Sequence, residues 1–269
     1  RGEIAATPRA RQSASIWFLP EDWVHSIGMA DKKDAAKEQL PAQAKQAEVD
    51  AFLRQVAAMP TVRQASGRGR LIFALDATAS RGPAWDLACR LQGEMFEATA
   101  SLGSLDVQLV FYRGFSECKA SRWLSRAEDL HRAMRKVSCV GGETQIARVL
   151  GHAINEAKAG HVNALVFVGD AMEEDLEELS KLAGELGLLN VPAFIFHEGA
   201  DPEVARAFKE IARLTRGAYC PFDAGSAKQL KELLGAVAVF AAGGRKALAD
   251  YSRKTGGAAL LLTRQMGVG

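Results

Sequence analysis

Leu71-Ile-Phe-Ala-Leu-Asp-Ala-Thr-Ala-Ser80 is the stretch whose reading decides the fold. An unbroken apolar run ends abruptly in an acid and two hydroxyls. A strand with one wet face alternates apolar and polar residues, whereas a parallel strand covered on both faces reads as a continuous apolar run. The spacing Asp76-x-Thr78-x-Ser80 then sets three oxygen side chains at the carboxyl end of that strand. In open parallel sheets, ligands bind in the crevice outside those strand ends. Three hard oxygen donors in such a place point to a divalent cation of the magnesium or manganese kind.

Two later pieces extend the pattern. Gly141-Gly-Glu-Thr144 precedes an amphipathic helix over Gln145–Lys158, its glycines letting the loop bring Thr144 close. Ala164-Leu-Val-Phe-Val-Gly-Asp170 is a second buried-type strand that ends in an acid. Around these, apolar spacing predicts helices over Trp85–Ser101, Arg126–Lys136, Glu174–Leu186, Pro202–Thr215 and Ala227–Ala241. It predicts strands over Asp106–Tyr112, Val191–His197 and Ala218–Phe222, and a short edge strand over Glu117–Ser121. Strands alternating with helices of this length imply crossover connections and a mostly parallel sheet with helices on both faces. The fold class is therefore doubly wound α/β, with an N-terminal helical extension.

The order strand–DxTxS, then GGxT before a helix, then strand–Asp resembles the von Willebrand factor A (VWA) domain with its metal-ion-dependent adhesion site, or MIDAS. The family pattern is DxSxS, a distant Thr and a distant Asp. The matching positions are Asp76, Thr78 (a Thr where the family has Ser, with the hydroxyl kept), Ser80, Thr144 and Asp170. The resemblance spans roughly residues 69–243. It implies that Thr78, Ser80 and Thr144 touch a Mg2+ or Mn2+ ion directly, and that Asp76 and Asp170 act largely through water or through the hydroxyls. A cation so little neutralised keeps an open position for an Asp or Glu of a partner protein. It further implies a binding module and no enzyme, of the bacterial intracellular type, hence cytoplasmic, working by family analogy beside chaperones or AAA+ ATPases.

Composition sets wider bounds. A length of 269 residues suffices for one large domain with extensions. A net charge of +2 gives no reason to expect nucleic acid or an anionic membrane as partner. No apolar run approaches the roughly 18 residues needed to span a bilayer. The sequence begins at Arg1 and not Met, which leaves room for a leader or further domain before it. Cys89, Cys118, Cys139 and Cys220 form no CxxC and have no His at zinc-finger spacing, so they read as reduced, mostly buried thiols. His131 and His152 fall within helices and read as surface or packing residues.

Residues 1–66 read as an extension, 67–243 as the VWA-like domain and 244–269 as a C-terminal extension. Within the first, Arg1–Ser15 is a polar, basic terminus and Asp31–Gln46 a Lys-, Glu- and Ala-rich linker broken by Pro41. Glu48–Met59 has one apolar face, from Val49, Phe52, Leu53 and Val56. Ile16–Val24 carries Trp17, Phe18 and Trp23, too costly to leave in water. The favoured reading has it folding back on the domain; a docking segment is the alternative. After Gly243-Gly244 come a basic helix-like piece, Arg245–Lys254, and an apolar stretch, Ala258–Leu262.

Near the site, Glu143, Glu173, Glu174 and Asp175 would tune metal affinity from the rim. The plainer reading of the last three is a solvated helix start favoured by the macrodipole. Arg81 reads as an aid to an acidic partner or as an exposed loop residue. Two other functions compete: a metal-dependent hydrolase, and a scaffold that binds without metal through the Trp-rich segment. A strand ending in Asp also opens the haloacid dehalogenase-type phosphohydrolases, but their general acid two residues on is here Thr78. G-x-S-x-G, the P-loop and a strand-following GxGxxG are absent.

Overall fold

Leu71, Phe73 and Leu75 point into one apolar cluster, Ile72 and Ala74 into another, and all five are almost wholly buried. That is why the run has no polar alternation: the strand is a partition between two cores. The computed structural model describes residues 23–26, 51, 68–100, 105–222 and 227–255. Its strands are β1 (Trp23–Ser26), β2 (Gly69–Asp76), β3 (Leu105–Arg113), β4 (Glu117–Ser121), β5 (Ala164–Gly169), β6 (Ala193–Glu198) and β7 (Ala218–Phe222). They form one sheet in the order β1-β4-β3-β2-β5-β6-β7. The five strands from β3 to β7 in that order are mutually parallel; β4 runs antiparallel to β3, and β1 antiparallel to β4. This is the doubly wound α/β architecture expected from the sequence.

The helices are α1 (Gly82–Leu91), α2 (Gly93–Thr99), α3 (Ala127–Met134), α4 (Ile146–Ala159), α5 (Leu176–Leu188), α6 (Pro202–Leu214) and α7 (Ala227–Thr255). Trp85, Met95, Leu130 and Leu233 carry α1, α2, α3 and α7 onto one face of the sheet. Val149, Leu179 and Phe208 carry α4, α5 and α6 onto the other. Helices α5 and α6 start where Asp175 and Asp201 each accept two backbone N–H groups of the first turn. Helix α7 is interrupted at Gly244, whose φ of 66° suits glycine. Ala247 and Leu248, beyond that interruption, are buried in the same layer as Leu233.

One expectation is corrected. Glu117–Ser121 is not an edge strand, because β1 pairs outside it with Trp23 opposite Ser121 and Val24 opposite Ala120. An uncovered β4 would present unpaired N–H and C=O groups, and the returning chain covers them. Trp23–Ser26 thus folds back on the sheet. Arg1–Ser15, Trp17, Phe18, Asp31–Gln46, Glu48–Met59 apart from helical Ala51, and Ala258–Leu262 lie outside the described residues.

Register explains the placing of the site. β2 lies between β3, which follows it in the chain, and β5, so the order reverses there and a crevice opens at the strand ends. Leu75 pairs with Val168, so Asp76 and Asp170 emerge one and two residues later at adjoining ends. Gly169 pairs with His197, which brings Glu198 to the next end along.

Candidate metal site at the sheet switch point

Asp76 is 2% exposed, and its Oδ1 accepts the Thr78 N–H at 2.7 Å. This turns the chain sharply out of β2 into a single 3-10 turn, Ala79–Arg81. The Thr78 and Ser80 hydroxyls approach to 3.5 Å, and Ser80 Oγ donates to Asp170 Oδ2 at 3.2 Å. Thr144 enters from the loop before α4. Its Oγ1 accepts the Glu173 N–H at 3.0 Å while its own N–H donates to Glu173 Oε2 at 2.9 Å, a reciprocal clasp between two loops. Asp76, Thr78, Ser80, Thr144 and Asp170 all line one cleft of about 460 Å3. That cleft continues past Glu173 to Glu198, Gly199, Ala200 and Asp201.

The Thr144 loop is held by backbone. Val140 N–H donates to Ala77 O at 3.0 Å, and Glu143 N–H to Gly114 O at 3.2 Å. Gln145 Nε2 donates to the carbonyls of Arg113 and Gly114. A Cβ at Gly142 would overlap the Gly114 backbone, so that close approach requires glycine; Gly141 faces open space. Phe115 and Val140, next in the chain to Gly114 and Gly141, are 62% and 45% exposed.

Burial dominates the electrostatics. It pushes the Asp76 carboxyl up to about 6, against the pull of Arg81 and the Thr78 N–H. Asp76 Oδ2 is buried and accepts no hydrogen bond. A buried carboxylate oxygen without a donor is costly, and a cation would satisfy it. The donor set of three hydroxyls and two carboxylates suits a hard, oxygen-seeking ion such as Mg2+ or Mn2+. Among the described residues no group of three or more His, Cys, Asp or Glu could hold a metal, so a cation here would rely on hydroxyls.

Two expectations about neighbouring residues are corrected. Arg81 is no exposed loop residue: it is 1% exposed, ion-paired with Glu198 and 3.7 Å from Asp170 Oδ2. Glu173 and Glu174 do not serve the start of their own helix. Glu173 grips Thr144, and Glu174 Oε1 accepts the Ala147 N–H at 2.8 Å at the start of α4, where burial raises its carboxyl. Asp175 alone caps α5. Glu198 and Asp201 carried no sequence signal as site residues, since each reads as an ordinary strand or helix end. The cysteines are free thiols, and His152 is buried against Gln108 at 2.9 Å.

No protein-family description matches the chain, and no curated protein matches it. Among solved structures it is similar to proximal thread matrix protein 1 from the mussel byssus, with a TM-score of 0.52 and 15% identity over 64% of this chain and 46% of that one. A second crystal form of the mussel protein gives 0.50 and 14%. The chain thus spans about half the length of the mussel protein it matches. It also overlaps the SpRpn10 VWA domain, with a TM-score of 0.47 and 14% identity over 62% of this chain and 94% of that one. At these identities the likeness to the mussel protein concerns the fold alone. No helix among the described residues is long and apolar enough to cross a membrane.

Proposed function

We propose that the chain is a divalent-cation-dependent protein–protein interaction module of the VWA type. In this reading Thr78, Ser80 and Thr144 hold a Mg2+ or Mn2+ ion, Asp76 and Asp170 supply the negative charge, and the ion accepts an Asp or Glu from a partner protein. One observation carries it: five oxygen-bearing side chains from three separate stretches line one cleft at the sheet's switch point, with a buried Asp76 oxygen lacking a donor. The ion would supply Lewis acidity and a position for the partner's carboxylate; the chain supplies a shaped cleft and donors on the turn after β2 and the loop before α4. The arrangement favours binding over hydrolysis, because no general acid stands at position 78.

The test is isothermal titration of Mg2+ and Mn2+ into the wild type and Asp76→Ala, with melting followed in parallel. Binding by the wild type and none by a folded Asp76→Ala is the expected result. Equal affinity in both would remove the reading.

A further inference from the structure

Arg81 follows the hydroxyl cluster directly, yet its side chain is 1% exposed. Its Nη1 is paired with Glu198 Oε2 at the end of β6 and stands 3.7 Å from Asp170 Oδ2 at the end of β5. The same Asp170 Oδ2 accepts a hydrogen bond from Ser80 Oγ at 3.2 Å. Among the described residues, those lining the cleft include Asp76, Asp170, Glu173, Glu198 and Asp201 but no Lys or Arg. The positive charge serving this acidic wall is therefore a guanidinium packed behind it. A guanidinium does not lose its proton in a protein, so that charge is permanent.

Charge arithmetic gives Arg81 a role beyond packing. Asp76, Asp170, Glu173, Glu198 and Asp201 together with Arg81 leave four net negative charges, of which one divalent ion cancels two. A carboxylate arriving at the ion then meets less residual negative charge than it would without Arg81. Without Arg81 the same group would hold a divalent ion more tightly, remain more negative with it bound, and repel the carboxylate more strongly. We infer that Arg81 is a fixed internal counter-cation that competes with a bound divalent ion for Asp170, weakening the bare site while favouring the ion together with a partner's carboxylate. The inference rests on the metal-site reading above and deepens it: Arg81 is a positioning residue that makes metal and acidic ligand depend on each other.

The experiment titrates Mg2+ into the wild type, Arg81→Met, Arg81→Lys and Glu198→Gln, with and without acetate as the carboxylate probe, and records melting in chelator and in Mg2+. A unit charge acting on a divalent ion at a few ångströms, at an effective dielectric of about 20, is worth more than ~10-fold in affinity. Arg81→Met should therefore bind Mg2+ at least ~10-fold more tightly than the wild type. Glu198→Gln should bind it more weakly, and Arg81→Lys should stay near the wild type. Acetate should favour Mg2+ binding by the wild type more than by Arg81→Met. Arg81→Met should melt below the wild type in chelator and gain more from Mg2+; a merely structural ion pair would leave acetate's effect unchanged. Folded Arg81→Met and Glu198→Gln that bind Mg2+ within about twofold of the wild type would overturn the inference and leave the metal reading standing. Should Arg81→Met fail to fold, unchanged affinity in Glu198→Gln overturns it alone. Mg2+ binding by Arg81→Met but not by the wild type supports it, and binding by none of the four overturns both.

Discussion

His197 and Asp76 are buried ionisable groups that burial moves in opposite senses. His197 is 0% exposed, bonded through Nδ1 to the Tyr219 hydroxyl at 2.9 Å and set edge-on to Phe208. Burial lowers it from 6.5 to about 4, against the attraction of Asp170 and Asp201. Burial raises Asp76 from 3.8 to about 6. For His197 the unfolded chain binds the extra proton, so its stabilising contribution is full above about 6.5 and is lost as pH falls towards 4. For Asp76 the folded chain binds the extra proton, so its contribution is full below about 3.8 and is lost as pH rises through 6. Each shift is worth on the order of 3 kcal/mol, and the two largely cancel between pH 4 and 6 in the metal-free protein. Single substitutions should expose them. Across that window, Asp76→Asn should lose stability on acidification and His197→Phe should gain it. Urea unfolding in chelator at several pH values reads both slopes, and parallel profiles in the two variants would contradict the assignment.

At the scale of elements, the Thr144 loop shows how a site depends on backbone clearance. It lies against the turn after β3, where Gly142 meets Gly114 and two hydrogen bonds reach the Gly114 carbonyl. Gly142→Ala would force the loop away from that turn, at a cost of roughly 1–3 kcal/mol by overpacking, and would carry Thr144 out of the cleft. Gly141→Ala enters open space and should be close to neutral. Urea unfolding with parallel Mg2+ titration separates the two; equal losses in both variants would mean that the contact with Gly114 is not the constraint. The sequence displayed the strands on either side of this loop because runs such as Leu71–Leu75 and Ala164–Val168 must be apolar on both faces. It displayed the five cleft residues because each follows such a run or a glycine pair. It did not display Arg81's partners, since Glu198 lies 117 residues away and reads as a strand end. Nor could it show that Glu173 reaches Thr144, because local helix-start chemistry explains the same acids equally well. Gly243-Gly244 reads as an ending, yet Ala247 and Leu248 return to the core past it.

Across the whole molecule, the site is placed where two cores meet at the sheet's switch point, and the fold carries it at a cost. The Asp76 carboxylate is enclosed by the ends of β2, β3 and β5, with one oxygen bonded to Thr78 N–H and the other without a donor. At neutral pH it is ionised in both folded and unfolded chains, so its full desolvation burdens the native state. Natural proteins often give up stability where a functional group must be held ready. Asp76→Asn keeps the shape and an acceptor for Thr78 while removing the buried charge. In chelator at neutral pH this variant should therefore be more stable than the wild type, by on the order of 3 kcal/mol, less whatever the weaker bond to Thr78 gives back. Added Mg2+ should reverse the order, because an ion bound only to the native state contributes about 4.1 kcal/mol at a thousandfold excess over its dissociation constant. For a domain of this size each kcal/mol moves the melting temperature by about 2–4 °C, so the crossing lies within reach of differential scanning calorimetry. A wild type that melts above Asp76→Asn in chelator would show that Asp76 is a structural anchor for the turn into Thr78, and that the cleft does not store the cost a cation would relieve.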